Sequence, residues 1–184
     1  MNTTLNTGAS MPLLGLGVYD MHSDEAVTAV GHALKTGYRL IDTAAAYGNE
    51  IQVGIAVRES QVPRNEIFVT TKVNNIQQGF DSTLKAFEES MKKLDIGYID
   101  LFLVHWPING KRKDTWKALE KLYHEKQVRA IGVANYLLPF MKELESYVHT
   151  VPAVNQVEFS PWLYLKELLD YVELYRALGG GWQE

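Results

Sequence analysis

Cysteine is missing altogether from the 184 residues. Without thiols there is no disulfide framework, no thiolate metal site and no Cys nucleophile, and a reducing cytoplasm is the expected setting. No apolar stretch approaches the ~18 residues that span a bilayer, so no membrane partner is expected. The opening Met-Asn-Thr-Thr-Leu-Asn lacks the basic and apolar regions of a secretory signal, which discounts Asn2-Thr3-Thr4 as a glycosylation site. Positive charge is also scarce. Eighteen Lys and Arg against 22 Asp and Glu leave a net charge of -4, and the basic triplet Lys111-Arg112-Lys113 reads as a solvated loop. Nucleic acid is therefore not an expected partner. Metal-ligand spacing is lacking as well. His22, His32, His124 and His149 are scattered, and Val128 stands where a second zinc histidine would follow His124-Glu125. No linker rich in Pro, Gly or Ser divides the chain, which suits one domain or part of a larger one.

What is present is an alternation. Short apolar, β-branched runs occur at 14–19, 38–42, 67–72, 99–105, 128–135 and 154–158. Between them lie helical stripes: Val27, Val30 and Leu34; Leu84, Phe87 and Met91; Trp116, Leu119 and Tyr123. Asp81 or Ser82 and Asp114 are expected as N-caps of the second and third helices, and Gly37 and Gly97 as C-terminal caps. Thr3–Leu5 and Met11–Leu13, around Asn6-Thr7-Gly8, read as a β-hairpin ahead of the first sheet strand. Repeated strand-helix units imply a parallel sheet, either doubly wound or closed as a (β/α)8 barrel.

Four of the apolar runs finish in a polar or ionisable residue, Asp42, Lys72, His105 and Asn135, and the run at 154–158 carries Gln156. Barrel enzymes place their chemistry at this C-terminal rim, where the loops converge on one cavity. Each residue taken alone has a plainer reading. His105 could be a satisfied core histidine and Lys72 a snorkelling side chain. Asp42 could cap a helix, Tyr47 could simply pack, Asn135 could serve a turn and Gln156 an interior strand bond. Gly15-Leu16-Gly17 lacks the third glycine and the following helix of a dinucleotide fingerprint, and reads as a close backbone approach.

Taken together these segments resemble the aldo-keto reductase family. Gly37-Tyr38-Arg39-Leu40-Ile41-Asp42-Thr43-Ala44 with Tyr47, Glu50 and Gly54 is similar to its first signature. Val69-Thr-Thr-Lys72, Asp100-Leu-Phe-Leu-Val-His105-Trp-Pro and Arg129-Ala-Ile-Gly-Val-Ala-Asn135-Tyr match further blocks in order and spacing. The resemblance runs from about Thr3 to Tyr171 and implies a (β/α)8 TIM barrel, NAD(P)H-dependent reduction of aldehydes or ketones, and a small-molecule carbonyl as partner. NADP(H) is the expected cofactor, with no metal. The implied roles are Tyr47 as general acid, Lys72 lowering its pKa, Asp42 holding Lys72, and His105 orienting the substrate oxygen. Asp42, Asn135 and Gln156 are implied cofactor contacts. Tyr19, Tyr47, Asn74, His105 and Trp106 are implied substrate contacts.

Three departures qualify the resemblance. Ala134 replaces a frequent Ser or Cys, and Asn74 and Tyr19 replace frequent pocket Trp residues, which predicts a more polar pocket. A full barrel needs roughly 250 residues, so the expectation is an incomplete one, a hairpin plus about six β/α units over 1–171, with an atypical tail at 172–184. Weak cofactor binding and a tendency to aggregate through open sheet edges are expected of such a piece. A cofactor-binding regulatory subunit and an inactive half-barrel remain the alternative functions. The particular substrate, the choice of NADP over NAD and the oligomeric state carry no sequence signal.

Overall fold

The structure is a computed structural model, and it describes residues 1–177, with side chains up to 173. Two short strands, β1 (Asn2–Thr4) and β2 (Ser10–Pro12), form the expected antiparallel hairpin with Thr3 opposite Met11. Six further strands follow: β3 (Leu16–Gly17), β4 (Leu40–Asp42), β5 (Phe68–Val73), β6 (Ile99–Val104), β7 (Val128–Ala134) and β8 (Asn155–Gln156). They pair in chain order, every neighbour parallel, so each connection is a crossover that returns over one face of the sheet. Six strands of a barrel are therefore present among the described residues, and β3 and β8 each have a single strand neighbour.

Six helices make the crossovers and the last described segment: α1 (Ser23–Lys35), α2 (Glu50–Glu59), α3 (Phe80–Leu94), α4 (Arg112–His124), α5 (Leu138–Glu145) and α6 (Lys166–Ala177). The last runs through Tyr171, and residues 178–184 of the expected tail lie outside the described residues. The three apolar stripes fall on α1, α3 and α4. The expected N-caps do not hold. α3 begins one residue before Asp81, with Gly79 at its N-cap, and α4 begins at Arg112, two residues before Asp114. Tertiary contacts set both starts. Gly79 N–H donates to Thr115 Oγ1 at 2.9 Å, while Arg112 reaches Pro107 O at 3.0 Å and pairs with Glu143 at 2.7 Å. Asp81 and Asp114 remain in the first turns, where a carboxylate meets the positive end of the helix dipole. At the other end of α3 the left-handed C-cap is Asp95, with Gly97 two residues further on, whereas Gly37 directly follows the α1 C-cap Thr36.

Strand alternation divides the side chains between two cores. Ile41, Val69, Val73, Phe102, Val104, Ile131 and Val133 face the helices and pack with Val30, Leu34, Phe87, Trp116 and Leu119. Leu40, Phe68, Leu101, Leu103, Ala130 and Ala134 point the other way, against hairpin residues Leu5 and Met11. That second face is the barrel interior, closed at its N-terminal end by the hairpin. Buried Asp100 ties three strands together near that end, accepting from Arg64 Nη2 at 2.7 Å, Val69 N at 2.9 Å and Arg129 Nη1 at 3.1 Å. Moving along the interior face towards the C-terminal rim, Leu40 gives way to Asp42, Phe68 to Lys72, and Leu103 to His105. Burial at the bottom thus fixes a register that delivers ionisable groups at the top.

Candidate active site

Lys72 is the centre of the rim. It is 1% exposed, and a buried ammonium is tolerable only with its three protons satisfied. They are. Nζ donates to Asp42 Oδ1 at 2.5 Å, to the Thr43 carbonyl at 3.0 Å and to the Tyr47 hydroxyl at 3.4 Å. The other Asp42 oxygen accepts from Gln156 Nε2 at 2.8 Å, linking the ends of β4, β5 and β8.

Tyr47 closes a 3-10 turn, Ala45–Tyr47, that leaves β4 and ends on Gly48 in the left-handed region at φ 71°. A residue with a Cβ would be strained there, so the glycine lets the chain turn sharply from Tyr47 into α2. The Tyr47 oxygen is an acceptor for Lys72, and its own proton has no protein acceptor among the described residues. That proton is free for a bound molecule. Tyr19 stands edge-on to the Tyr47 ring at 5.1 Å between centroids, and His105 at 5.6 Å.

His105 follows β6 directly, and its carbonyl accepts from Asn135 Nδ2 at 2.9 Å. Its ring Nδ1 is buried without a partner. An unpaired N–H would cost more there than an unpaired lone pair, so the proton is assigned to Nε2. Burial and the neighbouring Lys72 charge push the His105 pKa down to about 4, which makes the ring a neutral hydrogen-bond donor near pH 7. Lys72 is also pushed down by burial, with Asp42 opposing. Tyr47 corrects an expectation. Its pKa is not lowered by Lys72 but pushed up to about 12, by burial first, then by the charges of Asp42 and Tyr19.

The sequence-derived residues thus meet in one place. Asp42, Tyr47, Lys72 and His105 form a contiguous cluster. Asn135, left-handed at φ 62°, and Gln156 sit on the same rim, joined by a backbone bond from Asn135 N to Gln156 O at 2.8 Å. Tyr19 and Trp106, 73% and 47% exposed, flank the cluster, with the Trp106 ring 6.5 Å from His105. Asn74 sits past the end of β5, where its side chain accepts from Ile76 N at 3.3 Å. Two residues with roles here were overlooked in the sequence. Thr43 supplies a carbonyl to Lys72, and Asn49 lies buried and accepts from the Thr43 hydroxyl at 2.6 Å. Their proximity to Tyr47 was the available signal, but neither ends a strand.

The residues suit a nicotinamide group. Asn135 and Gln156 each anchor their NH2 on the protein, and each keeps a side-chain carbonyl oxygen with no protein donor among the described residues, matching a carboxamide's donors. Among the described residues no group of three or more His, Asp or Glu is placed to hold a metal ion, and no helix is long and apolar enough to cross a membrane. A cavity of about 350 Å3 between the hairpin, α5, β8 and α6 contains none of the rim residues.

Comparison with known proteins gives a consistent result. The model of the aldo/keto reductase family matches residues 13–181. Glyoxal reductase of Bacillus subtilis (strain 168) is 51% identical over 168 residues, covering 91% of this chain and 61% of that protein. The chain spans roughly three-fifths of the length of the curated relatives it matches. Among solved structures, an aldo/keto reductase from Brucella melitensis superposes with a TM-score of 0.91 at 44% identity, over 95% of this chain and 69% of that one. A Bombyx mori aldo-keto reductase in complex with NADP gives 0.88 at 33% identity, over 97% and 64%.

Proposed function

From the premise that the chain belongs to the aldo/keto reductase family, we propose that it reduces aldehydes or ketones to alcohols, with NADP(H) as cofactor and Tyr47 as general acid. The observation that carries this reading is the hydrogen-bond arrangement of Lys72, which fixes the Tyr47 oxygen and leaves its proton unclaimed. NADP(H), favoured by the NADP complex of the Bombyx mori relative, supplies the hydride when bound. As the carbonyl oxygen gains charge, Tyr47 passes its proton to it and becomes a phenolate. The Lys72 ammonium stabilises that phenolate, while Asp42 keeps Lys72 in place. Neutral His105 donates from Nε2 to the same oxygen and orients it. Asn135 and Gln156 would hold the carboxamide. Tyr19, Trp106 and Asn74 would line the substrate's approach. A cytoplasmic setting fits the absence of cysteine from the 184 residues.

The test is NADPH oxidation with a generic aldehyde by the wild type and Tyr47→Phe. Loss of the acid is expected to cut kcat about 10²–10⁴-fold while NADPH binding, followed by fluorescence, is retained. NADPH binding without turnover in either chain would instead favour a cofactor-binding regulatory protein. Neither binding nor turnover would favour an inactive half-barrel.

A further inference from the structure

Asn49 occupies the N-cap of α2, yet its side chain caps nothing. The amide is instead 1% exposed and divided among three neighbours. Oδ1 accepts from Thr43 Oγ1 at 2.6 Å, and Nδ2 donates to the carbonyls of Val18 at 2.8 Å and Met21 at 2.9 Å. These partners fix its orientation, because a flipped amide would set its oxygen against two carbonyl oxygens.

The two carbonyls bound a turn. Met21 N returns to Val18 O at 3.2 Å, and Asp20 within it is left-handed at φ 62°. Tyr19 rides on this turn and meets the Tyr47 ring edge-on. Being 73% exposed, Tyr19 has little packing of its own to hold it there. The third partner, Thr43, gives its carbonyl to Lys72. Asn49 therefore joins the Tyr19 turn to the strand end behind Lys72, and it lies two residues from Tyr47 in the chain.

We propose that Asn49 is a positioning residue that sets Tyr19 against Tyr47 and so governs which carbonyl substrates are admitted, favouring wide, aromatic aldehydes that use Tyr19 as a wall. The proposal rests on the reductase reading above. Lys72 and His105 are held by strands β5 and β6, and Tyr47 by its own turn bond to the Ala44 carbonyl at 2.9 Å and by Lys72, so releasing Asn49 loosens the Tyr19 wall far more than the proton-transfer groups. Loss of Asn49 then acts on KM for wide substrates more than on kcat.

The experiment compares wild type, Asn49→Ala, Tyr19→Ala and the double variant, each with NADPH and either propanal or benzaldehyde. Asn49→Ala is expected to raise KM for benzaldehyde about tenfold relative to propanal, with kcat within about threefold, as for a lost uniform binding contact. The selective effect should vanish in the Tyr19→Ala background. In parallel, 3-fluorotyrosine placed at position 19 is followed by 19F NMR, and its resonance should shift and narrow in Asn49→Ala. Should Asn49→Ala not fold, Thr43→Val removes the hydroxyl held by Asn49 while keeping the carbonyl to Lys72, and is expected to move both readouts in the same direction. Thr43→Ser should restore them. Equal effects on both aldehydes, persistence of the effect without Tyr19, or an unmoved 19F resonance would overturn the proposal. A wild type that turns over neither aldehyde sinks the reductase reading, and the 19F comparison still decides whether Asn49 holds Tyr19.

Discussion

Acid should destabilise this protein through His105 in a way that one substitution removes. In the folded state its pKa lies at about 4 against an ordinary 6.5, because burial and the Lys72 ammonium oppose the imidazolium more than Asp42 favours it. The folded protein therefore binds this proton more weakly than the unfolded chain. Above pH 6.5 both states are neutral and stability is complete. As pH falls through the window from 6.5 to about 4, the unfolded chain takes the proton first, and stability is lost until the folded histidine also titrates. A gap of about 2.5 pH units, at 1.36 kcal/mol each, sets the loss at about 3 kcal/mol. His105→Asn has no titration there. Urea unfolding of both chains between about pH 7 and pH 4 gives a stability difference in which the shared carboxylates cancel. That difference should move by about 3 kcal/mol in favour of the variant across the window. A difference that stays flat to within about 0.5 kcal/mol would refute the account of His105 as a buried, neutral ring.

Lys72→Met should leave the Asp42 carboxylate with the Gln156 amide as its remaining side-chain donor, at a cost of about 3 kcal/mol by urea unfolding. Adding Asp42→Asn should recover part of that stability and none of the carbonyl reduction, measured as NADPH oxidation. Gly132→Ala places a Cβ 2.4 Å from the Val154 carbonyl oxygen, a backbone atom that cannot step aside. It should cost about 1–3 kcal/mol in thermal unfolding. It should also push β8 outward and weaken the Gln156 to Asp42 bond; unchanged unfolding would show that β8 does not pack as described.

The strands and the rim were legible because they obey one rule read twice. Alternation puts Leu40, Phe68, Leu101 and Leu103 inside, so later positions on the same face of these strands, Asp42, Lys72 and His105, must converge. Helices with large apolar stripes were legible for a similar reason. α2 was not, because its buried face is built from Val53, Gly54, Ala56, Val57 and the carboxylate of Glu50, which shows no apolar stripe comparable to the other three. One Glu50 oxygen accepts a 2.7 Å hydrogen bond from Thr71, and the other, without a hydrogen-bond partner among the described residues, faces Lys93 Nζ at 3.9 Å. α5 is short, with Pro139 in its first turn, and gives too few periods to read. Asn49 escaped because its partners are main-chain carbonyls 28 and 31 residues away, which no local spacing reports.

The high pKa of Tyr47 changes what Lys72 is for. An ammonium alone beside a phenol favours the phenolate, but this one is bonded to Asp42 at 2.5 Å, and Asp42 acts on Tyr47 with the opposite sign. Seen from Tyr47 the pair is close to a dipole, and burial then decides in favour of the neutral phenol. A neutral phenol is the form a proton donor needs at rest. In the proposed reduction the Lys72 contact would matter when the proton leaves, because the bond at 3.4 Å points at the oxygen that would then gain charge. On the proposed reading, the Asp42–Lys72 pair would keep Tyr47 protonated before reduction and would stabilise its phenolate during it. Removing Asp42 alone would be expected to lower the Tyr47 pKa from about 12, which an ultraviolet phenolate titration of Asp42→Asn against wild type would detect. An unchanged titration would mean that burial alone sets the value, and that Asp42 serves Lys72 only as an anchor.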